Sequence, residues 1–237
     1  GDEEYGISQR ETVTSLASRV KSNLKIKKPS CIAYDLIFGC PGWLEGMIQA
    51  NAFIKSGIAK KCMVIGAETL SRVTDPHDRD SMIYSDGAGA TIIEHTAAQE
   101  GIIGHATASH TIEEFDYIYF GNSNNLKQDG PTKYIKMNGR KIYNFALTNV
   151  PKAMKDCLQA SGHDIKDLKK ILIHQANEKM DEAIVKRFYG LYDLQAPQDI
   201  MPMTINTLGN SSVATVPTLY DLILNNNLKG HQINKGD

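Results

Sequence analysis

The chain has 237 residues, 41% of them hydrophobic and 22% charged, with a formal net charge of −1. This length and composition are typical of a globular protein with one large domain or two modest ones. The near-neutral charge argues against nucleic acid as the main partner. Since no apolar stretch is long enough to cross a bilayer and no signal peptide is visible, we expect a cytoplasmic protein without a membrane span. The four cysteines form no CxxC pair and no disulfide-like spacing, so we predict reduced thiols and no metal site.

The first hundred residues alternate between predicted helices and short predicted strands. In chain order the predicted elements are a helix over 14–24, a buried strand over 31–38, a helix from Pro41 to a C-cap at Gly57, and two strands over 62–68 and 85–94. We interpret Asp86, Gly87 and Gly89 as structural, because aspartate caps turns and glycine lets a strand pass close to neighbouring chain. The alternation indicates an α/β architecture.

The second part of the chain continues this alternation after a polar stretch over 121–130, which is rich in Asn, Gly and Asp and is interpreted as a surface excursion. The elements that follow are a helix through Phe145, Met154 and Leu158, a strand over 169–173, a helix on which Met180, Ile184 and Phe188 share one face, and a last helix after the small residues of "LGNSS". The pattern therefore remains that of an α/β protein.

Cys40 stands at the corner between the predicted strand over 31–38 and the helix that follows it. A helix N-terminus lowers the pKa of a thiol and makes a thiolate available near neutral pH, so Cys40 is a candidate nucleophile. Packing remains the alternative, because cysteine is among the most buried residue types. For Cys31, Cys62 and Cys157 we predict packing.

His174 and Asn210 occupy two further corners of the same kind. His174 follows the predicted strand over 169–173, and Asn210 precedes the last helix as Cys40 precedes its own. Taken singly, a satisfied core histidine and a helix cap remain alternatives for these two residues. The combination of three such side chains favours a functional site, since ligands of α/β sheets collect at strand ends and helix starts.

Five segments in this order resemble the beta-ketoacyl-ACP synthase III branch of the thiolase superfamily. They are "FGCPG", "YSDGAGA", "MNGRKIYNF", "HQAN" and "LGNSSVATVP", and the similarity extends across nearly the whole chain. The resemblance implies a thiolase-like fold of α-β-α-β-α layers with two pseudo-symmetric halves. Residues 1–100 would be the remainder of the N-terminal half, with the nucleophilic cysteine, and 101–237 the C-terminal half. Because the family's chains are longer, we expect that the opening part of the first half and a closing strand are missing here.

The resemblance also implies a reaction, the decarboxylative condensation of an acyl-CoA primer with malonyl-ACP. Cys40 would take the acyl group, and His174 and Asn210 would stabilise the enolate that forms when malonyl-ACP loses CO₂. The implied partners are acyl-CoA, the acyl carrier protein and a second copy of the chain in a homodimer. No cofactor is implied, since coenzyme A thioester and ACP phosphopantetheine enter as substrates.

Three further residues match positions that contact coenzyme A or pantetheine in the family, namely Arg79, Tyr143 and Asn177. Each has a plainer alternative: a solvated loop arginine, a core tyrosine and a helix cap. Two alternatives to the function also remain open. One is a secondary-metabolite ketosynthase that condenses longer acyl units to a resorcinol, a pyrone or a similar product, for which the aromatic loop over 113–125 could shape the pocket. The other is a non-catalytic partner subunit.

Overall fold

The computed structural model of the chain describes residues 14–97, 101–127, 130–235 and 237. The helices are α1 (Leu16–Asn23), α2 (Gly42–Lys55), α3 (Gly139–Ser161), α4 (Glu178–Gly190), α5 (Ile205–Leu208) and α6 (Thr215–Leu224), and the strands are β1 (Lys61–Thr69), β2 (Asp86–Glu94), β3 (Ile118–Gly121) and β4 (Tyr134–Met137). Short 3₁₀ turns cover Leu70–Arg72, Arg79–Ile83, Ile165–Asp167 and Ser212–Ala214. The mixture of helices and strands confirms the predicted α/β class.

The antiparallel pair β1–β2 forms the framework of the N-terminal part, in register from Lys61 opposite Glu94 to Thr69 opposite Asp86. Helix α2 packs on β1, and α6 packs on β2. The close approach of α6 requires glycine in β2, because a Cβ on Gly89 would lie 2.7 Å from Pro217 Cβ. The interpretation of Gly89 as structural is therefore confirmed.

The residues around Gly89 have the same structural character. A Cβ on Gly87 would lie 2.9 Å from Ser211 Cβ, so glycine brings β2 against the corner before α6. The Asp86 carboxylate accepts hydrogen bonds from Ser71 at its N–H (2.9 Å) and its Oγ (2.6 Å), which fixes the turn after β1. Both interpretations made from the sequence are confirmed.

The prediction of a buried strand over 31–38 is wrong. The segment pairs with no other strand in the described part of the chain, and the side chains of Ile37 and Phe38 are 96% and 49% exposed. Its hydrogen bonds run instead to α1, where the Asp35 carboxylate accepts from the N–H groups of Leu16 and Ala17, each at 2.8 Å. An apolar run becomes a strand only when a neighbouring strand satisfies its backbone, and here none of the described strands does so.

The prediction of a strand over 169–173 is also wrong, although the segment is partly buried. Ile171 is 9% exposed, and its N–H donates to the carbonyl oxygen of Ile200 at 2.9 Å. That single bond does not extend into a ladder, so the segment runs through the core as irregular backbone. The apolar residues therefore predicted burial correctly and the hydrogen-bond pattern incorrectly.

Helices α3 and α4 pack on each other and form the core of the C-terminal part. Met180, Ile184 and Phe188 share the buried face of α4, as their spacing predicts, and each is less than a tenth exposed. Leu158 on α3 packs in one cluster with Phe188. This core supports the segment over 171–177, which carries His174 into the site.

A buried charge cluster connects three segments of the chain. Asp75, with no exposed surface, accepts from Lys136 Nζ (2.6 Å), Ser123 Oγ (2.9 Å) and the N–H of Asn124 (2.7 Å). Burial opposes ionisation of Asp75, but these hydrogen bonds together hold the pKa of its carboxyl group well below its usual range. The predicted surface excursion over 121–130 is thus anchored to the core at its start; residues 128 and 129 lie outside the described part.

The same lysine fixes the turn that leads into the site. Lys136 Nζ also donates to Asp78 at 2.8 Å, and the Asp78 side chain accepts from the N–H of Asp80 at the start of the 3₁₀ turn over Arg79–Ile83. Directly after this turn, Tyr84 forms a parallel bridge with Asn210. The charge cluster therefore helps to place the backbone at the third predicted corner.

Two further sequence-based expectations concern membrane-spanning helices and the boundary between two halves of the chain. No helix within the described ranges is both long and apolar enough to cross a bilayer. The predicted boundary between 1–100 and 101–237 adjoins residues 98–100, which lie outside the described residues. The division into two halves stays a prediction.

Candidate active site

Cys40 lies one residue before the N-cap of α2. The helix begins at Gly42 with Pro41 as its N-cap, one position later than predicted. Ser212, from the 3₁₀ turn before α6, donates from its Oγ to Cys40 Sγ at 3.5 Å. A residue 172 positions away in the chain is thus brought to the thiol.

His174 is the second group at the thiol. Its Nδ1 is buried without a hydrogen-bond partner among the described residues. The ring and the thiol of Cys40 are close enough for each to shift the pKa of the other. Burial opposes a thiolate, but the hydrogen bond and charge of His174, with the hydroxyl of Ser212, outweigh it and lower the pKa of Cys40. Burial also opposes protonation of His174, yet its bond to Cys40 raises its pKa. Both shifts favour a thiolate–imidazolium pair.

Asn210 joins this group through Ser212. It is 6% exposed, and its Oδ1 accepts from the N–H of Ser212 at 2.9 Å. Since a backbone N–H only donates, the facing side-chain atom must be oxygen, and Nδ2 is the donor that remains. Backbone bonds to Ile83 (2.7 Å) and Ser85 (2.9 Å) hold the residue in place. Asn210 is not a helix cap, because Ser211 and Ala214 are the N-caps of the 3₁₀ turn and of α6. Its oxygen closes a turn with Ser212, and its nitrogen is left open to a donor role.

The three residues predicted to contact coenzyme A lie outside this hydrogen-bonded group. Arg79 is exposed at the start of its 3₁₀ turn, and Tyr143 is 41% exposed on α3. Asn177 is exposed as the N-cap of α4, where its Oδ1 accepts from the N–H of Met180 at 3.2 Å. The cap is thus present, and the ligand contacts of all three residues stay predictions.

Asn177→Ala is expected to lower the free energy of unfolding by about 1 kcal/mol, because the N-cap acceptor is lost. Asn177→Asp keeps an acceptor at the cap and should remain within a few tenths of a kcal/mol of the wild type. Denaturant titration of both variants measures this difference. Equal destabilisation by Ala and Asp would show that the amide nitrogen, and not the cap, carries the stability.

Three residues that act on Cys40 or His174, or on which these act, were not identified from the sequence. Ser212 follows Asn210 by two positions, so a hydroxyl inside "LGNSS" was the available signal. Asp181 is 1% exposed on α4, and its signal was an acid on the buried face of a helix. Burial, with the charge of Cys40 next in size, raises the pKa of Tyr84 to about 12. The position of Tyr84 in the segment "YSDGAGA" did not by itself indicate a role for this residue.

His174→Ala is expected to raise the pH at which Cys40 becomes reactive. Removing the imidazole leaves burial as the dominant effect on the thiol, so the midpoint of its reaction with iodoacetamide should rise by about one pH unit or more. At a fixed pH below the midpoint the rate should fall about tenfold. His163→Ala, which removes an exposed histidine, is the matched control and should leave the profile unchanged.

Two family models of 3-oxoacyl-[acyl-carrier-protein] synthase III match the chain, one over residues 34–111 and the other, the C-terminal model, over 158–237. Beta-ketoacyl-[acyl-carrier-protein] synthase III of Prochlorococcus marinus is 33% identical over 223 residues, which cover 90% of this chain and 63% of that protein. The synthase III of Streptococcus gordonii is 32% identical over 216 residues, or 90% and 64% of the two chains. The chain therefore spans less than two thirds of the length of these relatives.

Solved structures agree with the sequence comparisons. Synthase III of Thermus thermophilus superposes with a TM-score of 0.79 at 26% identity over 93% of this chain and 65% of that one. OleA of Xanthomonas campestris superposes with a TM-score of 0.77 over 98% and 67%, but at 20% identity it shows the fold alone. The two family models together cover about two thirds of the chain. The chain belongs to the 3-oxoacyl-[acyl-carrier-protein] synthase III family and has its thiolase-like α/β fold.

Proposed function

We propose that this chain catalyses carbon–carbon bond formation by decarboxylative Claisen condensation of an acyl-CoA primer with malonyl-ACP, giving 3-oxoacyl-ACP. The observation that carries the proposal is the contact of Cys40 with His174 and Ser212, which favours a thiolate at a helix start. The names of the relatives, which include an acyl carrier protein, support the choice of substrate.

In the first half-reaction the Cys40 thiolate attacks the carbonyl carbon of the primer thioester. A carbon–sulfur bond forms to Cys40, the bond to the coenzyme A sulfur breaks, and the leaving thiolate takes the proton held by His174. The backbone N–H of Cys40 faces its own sulfur and helps to lower its pKa. We assign this N–H as a donor to the oxyanion that would develop on the attacked carbonyl group.

In the second half-reaction the same imidazole becomes a donor. Acylation removes the thiolate, which is the charge that raises the pKa of His174, so burial then favours the neutral ring. In this step the neutral ring carries its one proton on Nε2, and Nε2–H of His174 and Nδ2–H of Asn210 would donate to the enolate that forms as malonyl-ACP loses CO₂. The enolate carbon then attacks the acyl carbonyl and the bond to Cys40 sulfur breaks. Uncharged donors suit this step, because a carboxylate would repel both malonyl and enolate.

The proposal also covers the substrates, the oligomeric state and the cellular compartment. Coenzyme A thioester and the phosphopantetheine of ACP enter as substrates, and we assign no cofactor. We infer a cytoplasmic homodimer, on the strength of the resemblance to the family. Sedimentation velocity of the full chain should give twice the mass of one protomer, and a monomer at micromolar concentration would contradict the dimer.

The test of the function is incubation of the full chain with a panel of acyl-CoA primers and carboxyl-labelled malonyl-ACP. We expect release of labelled CO₂ and formation of 3-oxoacyl-ACP with at least one short primer. Condensation of long acyl units alone would favour the secondary-metabolite alternative. A chain that is folded yet neither acylated nor able to decarboxylate malonyl-ACP would be a non-catalytic subunit, and the proposal would be wrong.

A further inference from the structure

Asp181 is a buried acid to which the proposed mechanism gives no role. It lies in the first turn of α4, seven residues after His174, and is 1% exposed. Its Oδ2 has no hydrogen-bond partner among the described residues. A buried carboxyl group without a full set of hydrogen bonds lowers the stability of a protein. An acid on the buried face of α4 therefore requires an explanation beyond packing.

The carboxyl group of Asp181 faces the turn that carries His174. Burial raises the pKa of Asp181 to about 7. The charge of His174 acts in the opposite direction, as do the N–H groups of Asn177 and Ala176, which point to the carboxyl group. Asp181 therefore lies close enough to the turn after His174 for its N–H groups and the charge of the ring to act on the carboxyl group.

One nitrogen of the His174 imidazole is in the same situation as Oδ2 of Asp181. Its Nδ1 is buried and, within the described ranges, has no hydrogen-bond partner. The groups that act on the ring are the thiol of Cys40 from the corner before α2, the backbone of Ser212 from the turn before α6, and Asp181 from α4. Of these, Cys40 and Asp181 are the titratable ones.

We propose that Asp181 is a positioning residue for His174: its carboxyl group orients the imidazole from α4 and stabilises the imidazolium that forms when Cys40 loses its proton, with Oδ2 as the acceptor for Nδ1–H of that charged ring. Hydrogen bonds of this kind are often long in the unliganded state and shorten once substrate is bound. The inference deepens the proposed function, on which it rests only for the statement that His174 serves Cys40.

The proton step is balanced within these three side chains. The S–H bond of Cys40 breaks, an N–H bond forms at Nε2 of His174, and the products are a thiolate and an imidazolium. An ionised Asp181 stabilises the positive ring from its other side, so the pair forms at lower pH than it would without the acid. No electron transfer and no further reactant are involved.

The experiment measures the titration of His174 in the full chain after Cys40 has been capped with iodoacetamide, which removes the thiolate charge. Carbon-13 histidine NMR, assigned with His174→Gln, follows the ring. Asp181→Asn keeps an oxygen for the N–H groups of the turn and should lower the pKa of His174 by about half a unit to one unit, a three- to tenfold loss of proton affinity. Glu182→Gln removes an exposed acid from the neighbouring position and should change nothing.

Two further measurements keep the test decisive. Asp181→Ser is used if Asp181→Asn does not fold, with the same expected shift. In the wild type, His174 and Asp181 should titrate as a coupled pair, so the His174 signal should move in two steps. An unchanged titration in the folded variant, or a single step in the wild type, would overturn the role of Asp181. Because no acyl substrate is used, failure of condensation with these results intact would overturn the proposed function alone.

Discussion

Cys40→Ala is expected to abolish acylation by acyl-CoA, with a loss of rate on the order of 10⁶-fold, as when the nucleophile of a nucleophile–base pair is removed. The thiol that His174 and Ser212 activate is the only group of the site that can form a thioester. Intact-protein mass spectrometry after incubation with acyl-CoA should show one acyl group on the wild type and none on the variant. Peptide mapping should place that group on Cys40.

The control is Cys62→Ala, because Cys62 lies in β1, its thiol faces the carbonyl oxygen of Ala50 at 3.9 Å, and burial raises its pKa. This variant should be acylated like the wild type. Since decarboxylation uses other donors, Cys40→Ala should still release CO₂ from malonyl-ACP. A stable acyl group on Cys31, Cys62 or Cys157 would show that the nucleophile is misassigned.

The helices were predictable because their information is local. The 3.6-residue period of apolar side chains in α4 and the glycine after α2 mark these elements within one short window of sequence. The strands over 31–38 and 169–173 were predicted from the same kind of window and were wrong. A strand depends on a partner that is distant in sequence, and apolar content indicates burial without indicating a ladder.

The site was predictable to a similar extent. Cys40, His174 and Asn210 were identified by their positions at three corners, and the structure connects all three through Ser212. The contact of Ser212 with the thiol could not be predicted, because it depends on how α6 packs against β2. The burial of Asp181 was hidden for a related reason: only tertiary packing decides whether an acid beside an apolar stripe points outward.

Asn210→Ala is expected to slow the release of CO₂ from malonyl-ACP on the order of a hundredfold, or about 3 kcal/mol of transition-state stabilisation, as when one oxyanion donor is removed. Acylation of Cys40 should be nearly unaffected, because the amide donates to the enolate and not to the thiol. Labelled malonyl-ACP decarboxylation and single-turnover acylation, measured on the same preparation, separate the two half-reactions.

The hydrogen bond between Asn210 and Ser212 makes a second variant necessary. Asn210→Ala also removes the acceptor for the N–H of Ser212, at a cost of about 1 kcal/mol in stability. Asn210→Asp keeps this acceptor but replaces the donor nitrogen by an oxygen that carries negative charge. It should therefore fold at least as well as Asn210→Ala and decarboxylate more slowly still, because a carboxylate would stand where the enolate forms. If both variants lose acylation and decarboxylation to the same degree, Asn210 holds the corner that places Ser212 against Cys40, and the donor role is misassigned.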